Sequence, residues 1–394
     1  MSAFAAAVPV RASAASAAAP RLTVEAFGGA DAFARVEPVW DALVEESGIP
    51  YPFVRLDWVR TWWQAFGGGR RLHLAVVRDG ARPVALAPLM FAESRLCGLR
   101  VRTLQFLANV HAPRFELIVA PGREDACAAL WSHLVALQGW DVLQLEEVPS
   151  ASATVRELRR LAAADGFPVG VWPSLDSPYV STAGGWDEYL GGLTAKQRAN
   201  IRNRLRRAER LGAVELETVG GGPGLDQALA DGLRLETSSW KAAAGTAIVS
   251  RPDTDGFYRA LARMAADRGW LRLNFLRVGG KRIAFSYGLA LGPRLYLLKV
   301  GYDPEWAACS PQNTLCYLVL RALFERGGAE LDFLGSQEEW KQRWTAQQRP
   351  QEWLFVCRPR LRLRLAHGLK FGLLPALRRQ RLYRTLHHRV FGAR

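Results

Sequence analysis

The chain has 394 residues, of which 49% are hydrophobic, 23% charged and 14 are Trp. That length accommodates two domains and that composition a buried core, so a wholly disordered chain is excluded. The net charge of +15, from 52 Lys and Arg against 37 Asp and Glu, directs attention to anionic partners: nucleic acid, a phosphorylated small molecule or an acidic membrane surface.

Residues 1–20 are rich in Ala, Ser and Val, with no basic residue before Arg11, and read as a disordered leader rather than a secretory signal. The first half then reads as mixed α/β. Helices are expected over 32–46 and 56–66, and strands over 72–78 and 83–91 meet at the turn Asp79-Gly80. A helix over 124–137, a strand over 142–146 and a helix over 152–164 follow. A linker falls near 173–185. The second half has helices over 186–190, 195–211, 225–241 and 255–268. Strands over 271–278 and 282–291 form another hairpin across Gly279-Gly280. A third strand over 294–300, a helix over 311–326, a strand over 331–334 and a last strand over 352–357 complete it. No run of about eighteen apolar residues occurs, so no membrane-spanning helix is expected. The five cysteines are odd in number and lack C-x-x-C spacing, which argues against a disulfide framework or structural zinc and for reduced thiols in a cytoplasm.

The two hairpins superpose at a constant offset of 199 residues: Leu72, Leu74, Arg78, Gly80 and Ala85 fall on Leu271, Leu273, Arg277, Gly279 and Ala284. The shared register and flanking order favour a duplicated domain.

Several stretches carry candidate chemistry. Thr194 and Gln197 form a capping-box pattern that opens an Arg-rich helix. In it Arg198, Arg202, Arg206 and Arg210 share one face, so an anionic partner relieves their repulsion. The alternative is a solvated basic face. Glu236, a candidate general base, lies near Trp240 and Lys241; alternatively the Trp is core and the charges are surface. Ser310 is an expected N-cap and Pro311 an N1 residue, so Ser310, Gln312, Asn313 and Thr314 open a helix whose free N–H groups suit a pyrophosphate. Asp332-Phe333-Leu334-Gly335 closes a short strand ahead of Lys341, which sits between Trp340 and Trp344 and offers positive charge to a phosphate or an oxyanion. His111 is a candidate base, or a structural histidine. From Arg358 to Arg394 there are eleven Lys or Arg and no acid. The apolar residues among them suit an anionic membrane surface, RNA or plain solvation.

At these motifs the chain resembles the CelD/FemAB-like branch of the GNAT acyltransferase superfamily, over roughly residues 35–357. The segments that carry the resemblance are 196–212, 236–248, 257–284, 299–311 and 332–344. It implies an α/β (α+β) fold of two tandem GNAT-like domains, each a mixed, mainly antiparallel sheet flanked by helices. The expected division is a leader 1–20, an N-terminal domain 21–178, a C-terminal domain 179–357 carrying the site, and a basic tail 358–394. The resemblance also implies acyl transfer from acyl-CoA, without a metal, to an amine acceptor of polysaccharide, cell-envelope or lipid biosynthesis, such as a glycan amine. The alternatives are aminoacyl transfer from tRNA, as in the FemAB relatives, or an inactive binding protein of an envelope-synthesis complex. In this reading Glu236, Lys341 and Asp332 are catalytic. Arg198, Arg202, Ser310, Gln312, Asn313 and Thr314 hold the donor, and Trp240, Lys241, Lys299 and His111 the acceptor. Relatives carry Ser-Pro-Gly where this chain has Ser310-Pro311-Gln312, and the Q/R-x-x-G-x-G/A phosphate loop of simple GNAT enzymes is absent. The enzyme is expected in the cytoplasm, with the tail touching the inner membrane face.

Overall fold

The computed structural model describes residues 22–238 and 248–379. The leader, Trp240, Lys241 and the end of the tail lie outside them. The strands are β1 (Thr23–Phe27), β2 (Arg71–Asp79), β3 (Arg82–Leu96), β4 (Leu99–Phe106), β5 (Ile118–Val119), β6 (Val142–Pro149), β7 (Val169–Pro173), β8 (Ser177–Ser181), β9 (Val214–Val219), β10 (Leu271–Val278), β11 (Lys281–Leu291), β12 (Arg294–Tyr302), β13 (Glu330–Asp332), β14 (Gln348–Arg349) and β15 (Gln351–Cys357). The helices are α1 (Ala32–Ser47), α2 (Leu56–Phe66), α3 (Glu124–Ala136), α4 (Ala153–Ala164), α5 (Trp186–Gly192), α6 (Ala195–Glu209), α7 (Leu225–Ser238), α8 (Pro252–Asp267), α9 (Pro311–Glu325), α10 (Glu339–Gln342), α11 (Leu361–His367) and α12 (Leu374–Arg379).

Two sheets result. The first runs β1-β2-β3-β4-β6-β15-β7, with β5 on β3; the second runs β14-β8-β13-β12-β11-β10-β9. Most pairs are antiparallel, and each sheet has one parallel pair, β4 with β6 and β12 with β13. The α/β fold with mainly antiparallel sheets is therefore the one expected. The sheets divide the chain differently from the sequence, however. The stretch expected as a linker, 173–185, contains β8, which pairs with β13 and β14. The last strand, expected in the second half, lies between β6 and β7 of the first sheet. Leu354, Phe355, Val356 and Cys357 are all buried, as a strand covered on both faces requires.

The duplicated hairpins keep identical pairing. Leu72 opposes Met90 and Leu271 opposes Leu289, and the register shifts between Val77 and Arg78 in one and between Leu276 and Arg277 in the other. These shifts fall at the same 199-residue offset. The halves are joined through aromatic packing. Trp58 meets Phe257 and Phe53 meets Tyr296, each with ring centroids 5.6 Å apart. The Tyr296 hydroxyl donates to the Pro50 carbonyl at 2.8 Å. One buried cluster runs through both halves.

Each parallel pair splits where its strands diverge, and the two splits differ. In the first half, Phe115 N–H donates to the Glu147 carbonyl, and β5 pairs with Ala85 and Leu86 of β3 where β4 has left it. The chain thus plugs its own split. In the second half, β12 stays paired with β11 out to Tyr302, whereas its pairing with β13 stops at Tyr296 opposite Asp332. That split stays open.

Candidate active site

The open split holds a cavity of about 820 Å³, within the usual range for sites that take small molecules. One wall is Leu297 to Tyr302 of β12. The other is Phe333 to Ser336 after β13, with Trp340 and Lys341 of α10. Ser310 to Asn313, at the start of α9, also line it. Val110, His111 and Pro113 reach it from the first half. A β-bulge lies in the first wall: Tyr287 opposes Lys299 and Gly288 opposes Leu297, so Leu298 has no register partner. Bulges disrupt the ladder locally and re-aim backbone groups.

Lys341 is only 6% exposed. Its Nζ donates to the carbonyls of Leu334 at 2.8 Å and Ser336 at 3.2 Å, and pairs with Glu338 at 2.9 Å. Three hydrogens have three acceptors, so the ammonium braces the turn and contributes charge rather than a spare donor. The braced turn has positive φ at both Leu334 (52°) and Gly335 (61°). Such a conformation at Leu is held against local strain by its surroundings.

Asp332, expected to be catalytic, does not line the cavity. It is fully buried, and accepts from Arg114 Nη1 at 2.9 Å, Ser177 Oγ at 3.0 Å, the Leu334 N–H at 2.9 Å and Arg349 Nη1 at 3.3 Å. It therefore anchors the turn and ties the halves together through Arg114, itself 3% exposed. Breaking such a buried pair costs about 3–5 kcal/mol. Glu236 also stands back from the cavity. It is fully buried, and its Oε2 accepts the Ile248 N–H at 3.0 Å. Its backbone packs on Gly301 of β12, where a Cβ would overlap the Glu236 Cα.

His111 and Lys299 do meet at the cavity. The imidazole stacks on Phe66 with centroids 5.4 Å apart, and its Nδ1 lies 3.4 Å from the Tyr258 hydroxyl. Its backbone N–H donates to Asn109 Oδ1 at 2.9 Å, which fixes the loop. Burial, then the nearby Lys299 charge, lower its pKa to about 4. The ring is therefore neutral at pH 7. Lys299 Nζ sits 5.4 Å from the Tyr258 ring centroid. Burial first, and then the Glu236 charge, raise the Tyr258 pKa.

At the start of α9 the expected cap is altered. Ser310 occupies the N-cap position with φ 46° and ψ 65° and makes no side-chain cap; Thr314 Oγ1 donates instead to the Cys309 carbonyl at 3.0 Å. Gln312, 9% exposed, has a buried Oε1 with no partner among the described residues. The capping box at Thr194 and Gln197 is present, with both hydrogen bonds formed. Arg198 turns back to donate to the carbonyls of Gly191 and Leu193, Arg202 is exposed, and neither lines the cavity. The arginines nearer α9 are Arg204, half-buried in a recess shared with Asn313, Thr314 and Tyr317, and Arg207, which donates to the Ala308 carbonyl at 3.3 Å. A sequence argument built on the i,i+4 stripe passes over both. The signal for Arg204 was its position on the Ile201–Leu205 side of the helix, which packs on α9.

Comparison with known proteins bears on this geometry. Residues 195–342 match the family model described as an acetyltransferase (GNAT) domain, a segment that contains α6, β12, the start of α9 and Lys341. No curated protein matches the chain. Among solved structures, FemX superposes with a TM-score of 0.58 at 12% identity, over 83% of this chain and 96% of that one. A DUF2156 domain from Agrobacterium fabrum, the C-terminal domain of a protein described as a lysylphosphatidylglycerol synthetase, gives 0.51 at 13%, over 87% and 96%. A protein of unknown function from Bacteroides thetaiotaomicron gives 0.51 at 13%, over 81% and 96%. At these identities the structural likeness is one of fold, while the family match carries the chemistry. The chain is an acyltransferase by this match: residues 195–342 are similar to a GNAT acetyltransferase domain, within a two-sheet fold like that of FemX.

Proposed function

We propose that the protein transfers an acyl group, most simply acetyl, from acyl-CoA to an amine of a polysaccharide, cell-envelope or lipid precursor in the cytoplasm. The observation that carries this reading is the difference between the two splits: the first is plugged by its own chain, and the second is an open cavity walled by both halves. The residues present fit a CoA donor. The start of α9 presents the positive end of the helix dipole, which suits a pyrophosphate, although Pro311 has no N–H and those of Asn313 and Thr314 are bonded to the Ser310 carbonyl. Gln312 brings a buried oxygen with no partner among the described residues. Arg204 and Arg207 add charge beside it.

In this reading the acceptor nitrogen attacks the thioester carbonyl. The N–C bond forms, the C–S bond breaks, and the sulfur leaves as a thiol with a proton from the amine. His111 relays that proton, taking it from the amine and passing it to the departing sulfur, with its ring held by the Tyr258 hydroxyl and the Glu236 charge behind it. Lys341 stabilises the developing oxyanion through its charge and through the turn it braces. Asp332 and Glu236 act here as positioning residues. The first half, a copy that has lost its own opening, supplies the acceptor wall. A second reading, aminoacyl transfer from tRNA, is favoured by α6, where Arg202, Arg206 and Arg210 are exposed with no ion pair among the described residues.

Release of free CoA thiol, followed with acetyl- and longer acyl-CoA against a panel of amino sugars and amino lipids, tests this. Turnover is expected with an amine, and Lys341→Met and His111→Gln are each expected to lower kcat by about 10²-fold or more. Transfer from aminoacyl-tRNA with no thiol release from any acyl-CoA would replace this reading with the second.

A further inference from the structure

We propose that the helical segment from Leu361 to Arg379 docks the enzyme on an anionic phospholipid bilayer, lying flat on its surface. The segment has two apolar stripes where one suffices for folding. The inner stripe is already used. Leu363 and Ala366 are buried, and Phe371 lies over Gly170 of β7, where a Cβ would overlap its ring. Lys370 Nζ sits 3.9 Å from the Phe355 ring centroid.

The outer stripe is Leu361, Leu365, Leu369 and Leu373, exposed by 75%, 66%, 37% and 53%. They make up half of the large hydrophobic side chains exposed among the described residues, and they recur every fourth residue. In a pure α-helix a four-residue spacing drifts around the axis. Here the turns over Gly368–Leu373 are π-helical and wider, which brings the stripe back into line. Helix geometry and sequence thus agree on one continuous outward ridge.

Charge identifies the occupant. Arg360, Arg362 and Arg364 flank the ridge and are exposed. Next to them, Arg95, Arg100 and Arg102 of the β3–β4 hairpin line a cleft of about 660 Å³ together with Arg362. The acids there are Asp141, which is buried and already held by Arg102, Arg360 and Arg362, and Glu93. A leucine ridge with a basic border is the pattern of a helix that buries one face among acyl chains while its cations meet lipid phosphates. No helix among the described residues is long and apolar enough to cross a membrane.

The test is co-sedimentation of the full-length protein with vesicles of phosphatidylcholine alone and of phosphatidylcholine mixed with phosphatidylglycerol. The expected result is binding to the anionic vesicles only, weakened by high salt. Replacing Leu361, Leu365, Leu369 and Leu373 together by Ser is expected to lower that binding by about tenfold or more, with circular dichroism and melting temperature unchanged. Because all four side chains are exposed, the variant keeps its core. Absence of binding by the full-length protein overturns the proposal, as does equal binding to neutral vesicles. Two further outcomes overturn it by naming another occupant. One is a dimer that becomes monomeric in the Ser variant. The other is binding that appears only after removal of residues 380–394.

Discussion

His111 is neutral at pH 7 because it is packed between Phe66 and Tyr258 beside a lysine, and this has a consequence for stability. Its pKa is lowered from 6.5 to about 4, and that of His73, buried against His133, is lowered to about 4 as well. Between pH 6.5 and about 4 the unfolded chain takes up protons at these positions that the folded chain refuses. Stability therefore falls as pH is lowered through that window and is fully retained above it. Melting temperature measured from pH 7 to 4 is expected to drop less steeply in His111→Gln than in the parent protein. Equal slopes would mean that the imidazole is not held neutral. The same residue scale shows where a sequence is hard to read. His111, Lys299, Lys341 and Ser310 to Asn313 line one cavity. Asp332 and Glu236 have the same chemistry on paper but are buried with fixed donors, and a carboxylate's surroundings leave no trace in its own letter.

At the scale of elements, most helices and the two hairpins were legible, whereas strands β1, β4, β7 and β9 and the long-range destinations were not. The hairpin pairing, including its shift at the 199-residue offset, follows from alternation and turn residues that lie close together in the chain. Strands of two residues, β5 and β14, are too short to carry a period. β15 reads locally as a strand, but nothing within it says that it returns to the first sheet. The wall of the site depends on such a distant contact, since α7 lies on β12 at Gly301 with no room for a side chain. Gly301→Ala is expected to push α7 away and cost about 1–3 kcal/mol of stability, as overpacking does. Urea unfolding measures this directly, and an unchanged midpoint would show that the helix and strand are not in register as described.

At the scale of the whole molecule, two halves of related build have divided the work. One keeps an open split and the other closes its own, and then lends His111 to its partner's cavity and Arg114 to the Asp332 anchor. The duplication could be read from the hairpins, but the asymmetry could not, because the plug between β4 and β6 is made by a turn-rich stretch with little periodicity. The open split of the second half is proposed to accept an acyl-CoA donor. Calorimetric titration of acetyl-CoA and longer acyl-CoAs into the full-length protein tests it most directly. Saturable binding at one site per chain is expected, accompanied by a rise in melting temperature, because the ligand binds only the folded state. No heat and no thermal shift with any acyl-CoA would contradict it.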